Sequence, residues 1–287
     1  MTGVADVLAR CRAEGRAALI GYLPVGYPDL PGSIAAMTAM VEAGVDIVEV
    51  GVPYSDPLMD GPVIQHAAET ALAGGARVDD VFTATAAVRD AGAPALVMTY
   101  WNLVLRRGVE RFATDLASGG GAGLITPDLI PDEAADWIAS SEAHGLDRVF
   151  LVAPSSTPER LATATSACRG FVYAASTMGV TGTRATVGSS AEDLVRRTRA
   201  VTDLPVCVGL GVSNGEQAAD VARFADGVIV GSALVRTLTD APTRADGIRA
   251  LTDLTRELAA AVRAGRPTPG AAFGSTPGLT PGGGAPA

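Results

Sequence analysis

Eight apolar runs of strand length recur along the chain: ALIGYLPV (18–25), DIVEVGVP (46–53), ALVMTY (95–100), GLITPD (123–128), RVFLVAP (148–154), GFVYAAS (170–176), PVCVGLGV (205–212) and GVIVGSAL (227–234). Most are separated by segments of helical periodicity. In VDDVFTATAAVRDAG, Val78, Val81, Phe82, Thr85 and Val88 fall on one face, and Asp79 is placed to cap that helix. The segment LPGSIAAMTAMVEAG ends on glycine, as a helix C-terminus does. Continuously apolar runs imply strands buried on both faces, and the amphipathic segments between them imply parallel βαβ units. Eight such units in about 240 residues have the size and rhythm of a (β/α)8 TIM barrel, with a doubly wound open sheet as the alternative. Val4, Val7, Leu8 and Cys11 share one side of an extra N-terminal helix, which is expected to cap the barrel bottom. Residues 1–265 are read as a single barrel domain. After Arg266 the chain runs PTPGAAFGSTPGLTPGGGAPA, uncharged and rich in Pro and Gly, so 266–287 is read as a disordered low-complexity tail.

Composition removes several classes of function. A formal net charge of -9 argues against a nucleic-acid footprint, which needs clustered positive charge. No stretch approaches the roughly 18 apolar residues of a membrane span, and the N-terminus has no apolar signal-peptide core, so a cytoplasmic location is expected. Cys11, Cys168 and Cys207 are odd in number and far apart, which suits reduced, buried thiols. All 22 basic residues are Arg. With no lysine there is no Schiff-base nucleophile and no anchor for covalently held pyridoxal phosphate. The two histidines, His66 in a helical pattern and His144 in a short connection before a strand, cannot make a multi-histidine site, so no metal is expected.

Barrel active sites form at the C-terminal ends of the strands. Strand alternation puts Glu49 on the face of Ile47 and Gly51, inside the barrel mouth, while Val48 and Val50 point to the covering helices. A carboxylate there, with no Arg placed beside it by any strand, has its pKa raised toward the range of a general acid or base. The loop that follows, VPYSDPLMDGP, is too long and Pro-rich for a minimal turn and is expected to fold over the site carrying Asp56 and Asp60. Each aspartate is equally suited to turn formation. A phosphate cradle without cationic side chains is expected from GVTGTR (179–184), GLGVSNGEQ (209–217) and VGSALV (230–235), where glycines and a helix start present backbone N–H groups.

The ordered blocks GYLPVGYPD, VEVGVPYSDPLMDGPVIQ, VMTYWN, PDLIPDEA, GFVYAASTMGVTGTR, VCVGLGVS and DGVIVGSAL resemble the tryptophan synthase alpha subunit family over residues 5–262. The resemblance implies a (β/α)8 barrel lyase that cleaves indole-3-glycerol phosphate in L-tryptophan biosynthesis. It implies Glu49 as acid/base, Asp60 at the indole N–H, Tyr22 and Tyr173 on the indole side, and Gly182, Gly211, Gly231 and Ser232 around the phosphate. Thr181 would close over Asp60. Asp56, Asn102 and Asp128 would face a beta subunit in an α2β2 complex, where pyridoxal phosphate belongs to the beta subunit and the alpha subunit needs no cofactor. Tyr22 and Tyr173 could equally be packing aromatics, and Asn102 a strand-end turn residue. Pro24 stands where many relatives carry threonine, Tyr54 where phenylalanine is usual, and Met59 where a small residue is usual. The alternatives are a stand-alone lyase releasing free indole, or a mainly allosteric partner.

Overall fold

The computed structural model describes residues 3–57, 59–175, 184–209 and 211–265, with the side chains of 184–189 outside that description. The expected tail (266–287), Thr181 and Gly182 lie outside the described residues.

The strands are β1 (Ala18–Pro24), β2 (Ile47–Gly51), β3 (Ala95–Met98), β4 (Gly123–Ile125), β5 (Asp147–Val149), β6 (Leu151–Val152), β7 (Val172–Ala175), β8 (Val206–Gly209) and β9 (Gly227–Val230). They form one sheet in the order β5-β4-β3-β2-β1-β9-β8-β7-β6. Every pairing between them is parallel.

β5 and β6 are two halves of one stave. β5 pairs with β4 through Gly123↔Asp147 and Ile125↔Val149, while β6 pairs with β7 through Leu151↔Tyr173 and Val152↔Ala174. Phe150 between them still accepts a hydrogen bond from the Tyr173 N–H at 3.2 Å. The sheet therefore closes on itself as an eight-stave barrel, and the open-sheet alternative is excluded.

Alternation along the staves divides the apolar residues into two cores. Val48, Val50, Val97 and Val208 pack outward under the helices. Ala18, Ile20, Ile47, Leu96, Ile125, Val149, Cys207 and Ile229 fill the barrel, joined from below by Val4, Val7, Leu8 and Cys11 of the helix Val4–Ala13. Those four residues recur at helical spacing, so one helix face plugs the bottom, and each of its valine and leucine side chains contributes about 1.5–3 kcal/mol by burial. All three cysteines are free and buried.

Two buried aspartates stitch the same end. The Asp46 carboxylate accepts from Arg16 Nη1 and Nη2, each at 2.8 Å, and from the Leu19 N–H at 2.9 Å. Asp226 accepts from Arg199 Nη2 at 2.9 Å and from the Val206 N–H at 3.1 Å. Both charges are satisfied, which is the condition for burying them without a large penalty.

The helix Leu30–Ala43 ends on Gly44 in the left-handed conformation, as expected. Two local expectations fail. The Asp79 carboxylate does not cap its helix, which begins at Asp80; it pairs with Arg107, while Asp80 Oδ2 accepts the Arg77 N–H at 2.7 Å. His144 is the last residue of the helix Ala135–His144, not part of a connection, and its Nε2 lies 2.8 Å from Glu110 Oε1. In both cases a partner far along the chain decides the role of the side chain.

Candidate active site

At the C-terminal ends of the strands a cavity of about 290 Å³ brings together Tyr22, Glu49, Asp60, Tyr173, Gly211, Gly231 and Ser232. That volume sits at the small end of the range for ligand pockets. Seven residues singled out in the sequence thus line one space. Asp56, Asn102 and Asp128 do not line it, and Thr181 and Gly182 are outside the described residues.

Glu49 lies one layer above Ile47, opposite Tyr22 in the β1–β2 register. It is 1 % exposed, and its Oε1 has no hydrogen-bond partner among the described residues. Burial alone pushes its pKa up from 4.5 to about 8. Asp46 and Asp226 are buried and paired; Glu49 is buried and left with an open acceptor facing a cavity. A carboxyl held so is protonated at neutral pH and able to give up and recover that proton.

Asp60 closes the flap between β2 and the helix Pro62–Ala73. Burial raises its pKa as well. The flap is held on both sides of it: the Met59 N–H donates to the Tyr100 hydroxyl at 3.1 Å, and Gln65 Nε2 donates to the Asp60 carbonyl at 2.8 Å. Neither Tyr100 nor Gln65 was singled out from the sequence. Tyr100 lies two residues past the end of β3, where it precedes the helix Trp101–Arg107 on the same side of the barrel as the cavity.

The two tyrosines fit because particular strand ends are glycine. A Cβ on Gly51 would overlap the Tyr22 hydroxyl, and one on Gly209 would overlap the Tyr173 hydroxyl. Burial, and then the neighbouring carboxylates, keep both phenols protonated: Asp60 and Glu49 act on Tyr22, and Glu49 on Tyr173. The remaining walls are apolar: Ile64, Met98, Leu151 and Ile229. Bulk apolar character gives such residues no individual signal in a sequence.

No arginine lines the cavity among the described residues. Gly211 has φ +65° with open space where a Cβ would stand, and Gly231 precedes the helix Ser232–Thr239. The first-turn N–H groups of that helix are free of helical partners by construction and carry partial positive charge, so this wall suits an anion held by backbone.

The profile of the family described as tryptophan synthase alpha chain matches residues 8–263. The chain belongs to that family. Its relatives include the tryptophan synthase alpha chain of Mycobacterium marinum, 66% identical over 253 residues, covering 88% of this chain and 92% of that one. The Mycobacterium tuberculosis H37Rv alpha chain is 64% identical over 259 residues, covering 90% and 94%. Among solved structures, tryptophan synthase from M. tuberculosis in an open form with BRD0059 bound superposes with a TM-score of 0.84 at 61% identity, covering 91% of this chain and 98% of that one. Tryptophan synthase subunit alpha from Legionella pneumophila str. Paris superposes at 0.83 with 31% identity, covering 91% and 98%. As a tryptophan synthase alpha chain, the protein is an enzyme subunit of tryptophan biosynthesis.

The residues expected at a partner surface lie on the alpha-chain barrel's rim and make local contacts. Asp128 takes the Trp101 N–H on both carboxylate oxygens, at 2.9 and 3.1 Å; Asn102 Nδ2 donates to the Tyr54 hydroxyl at 3.0 Å; Asp56 accepts from the Ser55 hydroxyl at 2.7 Å. At the opposite end, under the helix Val4–Ala13, a larger cleft of about 1110 Å³ opens between the turns that enter the strands. Several of its polar side chains are engaged: Arg12 with Asp226, Arg169 with Asp147, His144 with Glu110. No cluster of three or more potential metal ligands occurs among the described residues, and no helix among them is long and apolar enough to cross a membrane.

Proposed function

We propose that this barrel, as one domain over residues 1–265, cleaves indole-3-glycerol phosphate to indole and glyceraldehyde 3-phosphate. It would do so in the cytoplasm, in an α2β2 complex with a tryptophan synthase beta subunit. The observation that carries the reading is the buried Glu49 carboxyl, whose Oε1 has no partner among the described residues, facing a cavity that also holds Asp60.

The protonated Glu49 donates to indole C3, and the ring becomes a cation shared by C2 and the nitrogen. Asp60 accepts from the indole N–H and stabilises that charge. Glu49, now a carboxylate, removes the proton of the hydroxyl on the side-chain carbon bonded to C3, the carbon whose bond to the ring breaks. The carbon–carbon electrons return to the ring as the aldehyde forms, so the proton is returned and none is consumed overall. The ring is the electron sink, so no lysine imine is needed; that agrees with a chain without lysine. The chain would need no cofactor of its own, and pyridoxal phosphate would belong to the beta subunit.

Steady-state cleavage by the purified chain, with and without a beta subunit, tests this. Cleavage that accelerates with the partner is the expected result; fast cleavage by the chain alone points to a stand-alone lyase, and no cleavage in either condition sinks the assignment.

The phosphate wall has its own test. Gly211→Asp and Gly211→Asn share the strain of a side chain at positive φ and differ in charge. The Asp variant should bind a phosphate-bearing ligand at least about tenfold more weakly than the Asn variant, with indole bound equally by both. Equal losses for the two ligands would place the phosphate elsewhere.

A further inference from the structure

We propose that Tyr100 is a positioning residue for Asp60, and that Tyr54 joins it to the protein surface at Asn102. The inference rests on the reading of Asp60 given above. Three consecutive contacts carry it. Asn102, exposed on the helix Trp101–Arg107, donates through Nδ2 to the Tyr54 hydroxyl at 3.0 Å. The Tyr54 ring stacks on the Tyr100 ring, with centroids 4.6 Å apart and planes 30° apart. The Tyr100 hydroxyl accepts the Met59 N–H at 3.1 Å, one residue before Asp60.

Tyr100 is suited to hold a fixed position. It is 6 % exposed, and it immediately precedes the helix whose first N–H, that of Trp101, is held by Asp128. The loops after β2, β3 and β4 are thus tied together: Asp128 anchors the backbone beside Tyr100, and Tyr100 anchors the backbone beside Asp60. Gln65 holds the other side of Asp60 through its carbonyl. With both flanks fixed, the Asp60 side chain has little freedom left except rotation about its own bonds, which is the condition for meeting a ring N–H with a set geometry. Tyr100 does not line the cavity, so it acts through the flap and not on the substrate.

The link to Asn102 depends on the Tyr54 hydroxyl. A phenylalanine at this position would keep the ring stack and lose the bond. With the Tyr54 hydroxyl in place, movement of Asn102, as when a partner covers that face, reaches Asp60 through two rings and one backbone N–H.

The test uses the full chain, assayed with a beta subunit, and takes wild-type cleavage as its internal control. Tyr100→Phe keeps the ring and removes the acceptor. It should lower kcat by about tenfold with KM within about twofold, as for loss of one well-placed hydrogen bond. Hydrogen exchange of the Met59 amide should speed up while the barrel strands stay protected. In an Asp60→Asn background the same change should leave the residual rate unaltered. Tyr54→Phe should lower kcat by about threefold, with no further loss on adding Asn102→Ala. Unchanged kcat in Tyr100→Phe, or an equal loss with and without Asp60, would overturn the proposal. Should wild type fail to cleave the substrate, the proposed reaction falls, while the exchange rate at Met59 still decides whether Tyr100 holds the flap.

Discussion

Glu49→Gln is expected to lower indole-3-glycerol phosphate cleavage by about 10²- to 10⁴-fold, the range for removing a general acid/base. The amide has nearly the shape of the acid but cannot exchange a proton, and the described residues offer no other carboxyl at that depth. Asp60 is the other carboxyl lining the cavity among the described residues, and it stands on the flap. The fall should appear in kcat, because the proton moves during bond cleavage and not during binding. Steady-state rates measured from about pH 6 to about pH 9 check this, and a variant with wild-type kcat would remove Glu49 from the chemistry.

The same substitution should stabilise the protein at high pH. In the folded chain Glu49 takes up its proton with a pKa of about 8, against the ordinary 4.5. Between those values the folded state holds a proton that the unfolded state has released, so stability falls as pH rises through that window. Below about pH 4.5 both states are protonated, and wild type and variant should differ little. Above about pH 8 the folded wild type carries a buried charge with no ion pair among the described residues, and the variant does not. The gap should grow between these limits to on the order of 3–5 kcal/mol, from about 1.4 kcal/mol per pKa unit. Denaturant unfolding of both proteins at about pH 4 and about pH 9 checks it. Burial also raises the Asp60 pKa, and raises that of Asp147 to about 6, so wild type alone would show a mixed pH dependence. The difference between the two proteins isolates Glu49. A gap independent of pH would mean that the carboxyl is not desolvated in solution. A variant that is less active and more stable is the pattern expected when a functional charge sits where folding alone would not put one.

Much of the site was legible from periodicity. Glu49, Tyr22 and Tyr173 were placed by strand alternation or by motif resemblance, and Gly211, Gly231 and Ser232 by glycines at strand ends; all six line the cavity. The length of its loop left Asp60 open between turn and site, and the family resemblance assigned it to the site. Gln65 and Tyr100 were not indicated, because a glutamine near a helix start and a tyrosine at a strand end are ordinary in sequence, and only the flap contacts give them a role. The Asp79 cap failed for a related reason. A carboxylate at a helix start is a local signal, and here Arg107, 28 residues away, takes it.

The repeating units, the helix face that plugs the barrel and the inward direction of Glu49 follow from periods of two and 3.6 residues, which short-range geometry imposes on any chain of this pattern. Pairing is different. Asp46, Glu49 and Asp226 are all carboxylates at or beside strands, and nothing in their neighbours says which will be left without a partner. Arg16 meets Asp46 across 30 residues, Arg199 meets Asp226 across 27, and the Met59 N–H meets Tyr100 across 41. Such contacts exist only once the barrel has closed, because closure brings separate loops to one rim. Desolvation, and with it the raised pKa of Glu49, depends on everything packed around the group; the chain's alternation aims the carboxyl inward, and the closed barrel makes it an acid at neutral pH.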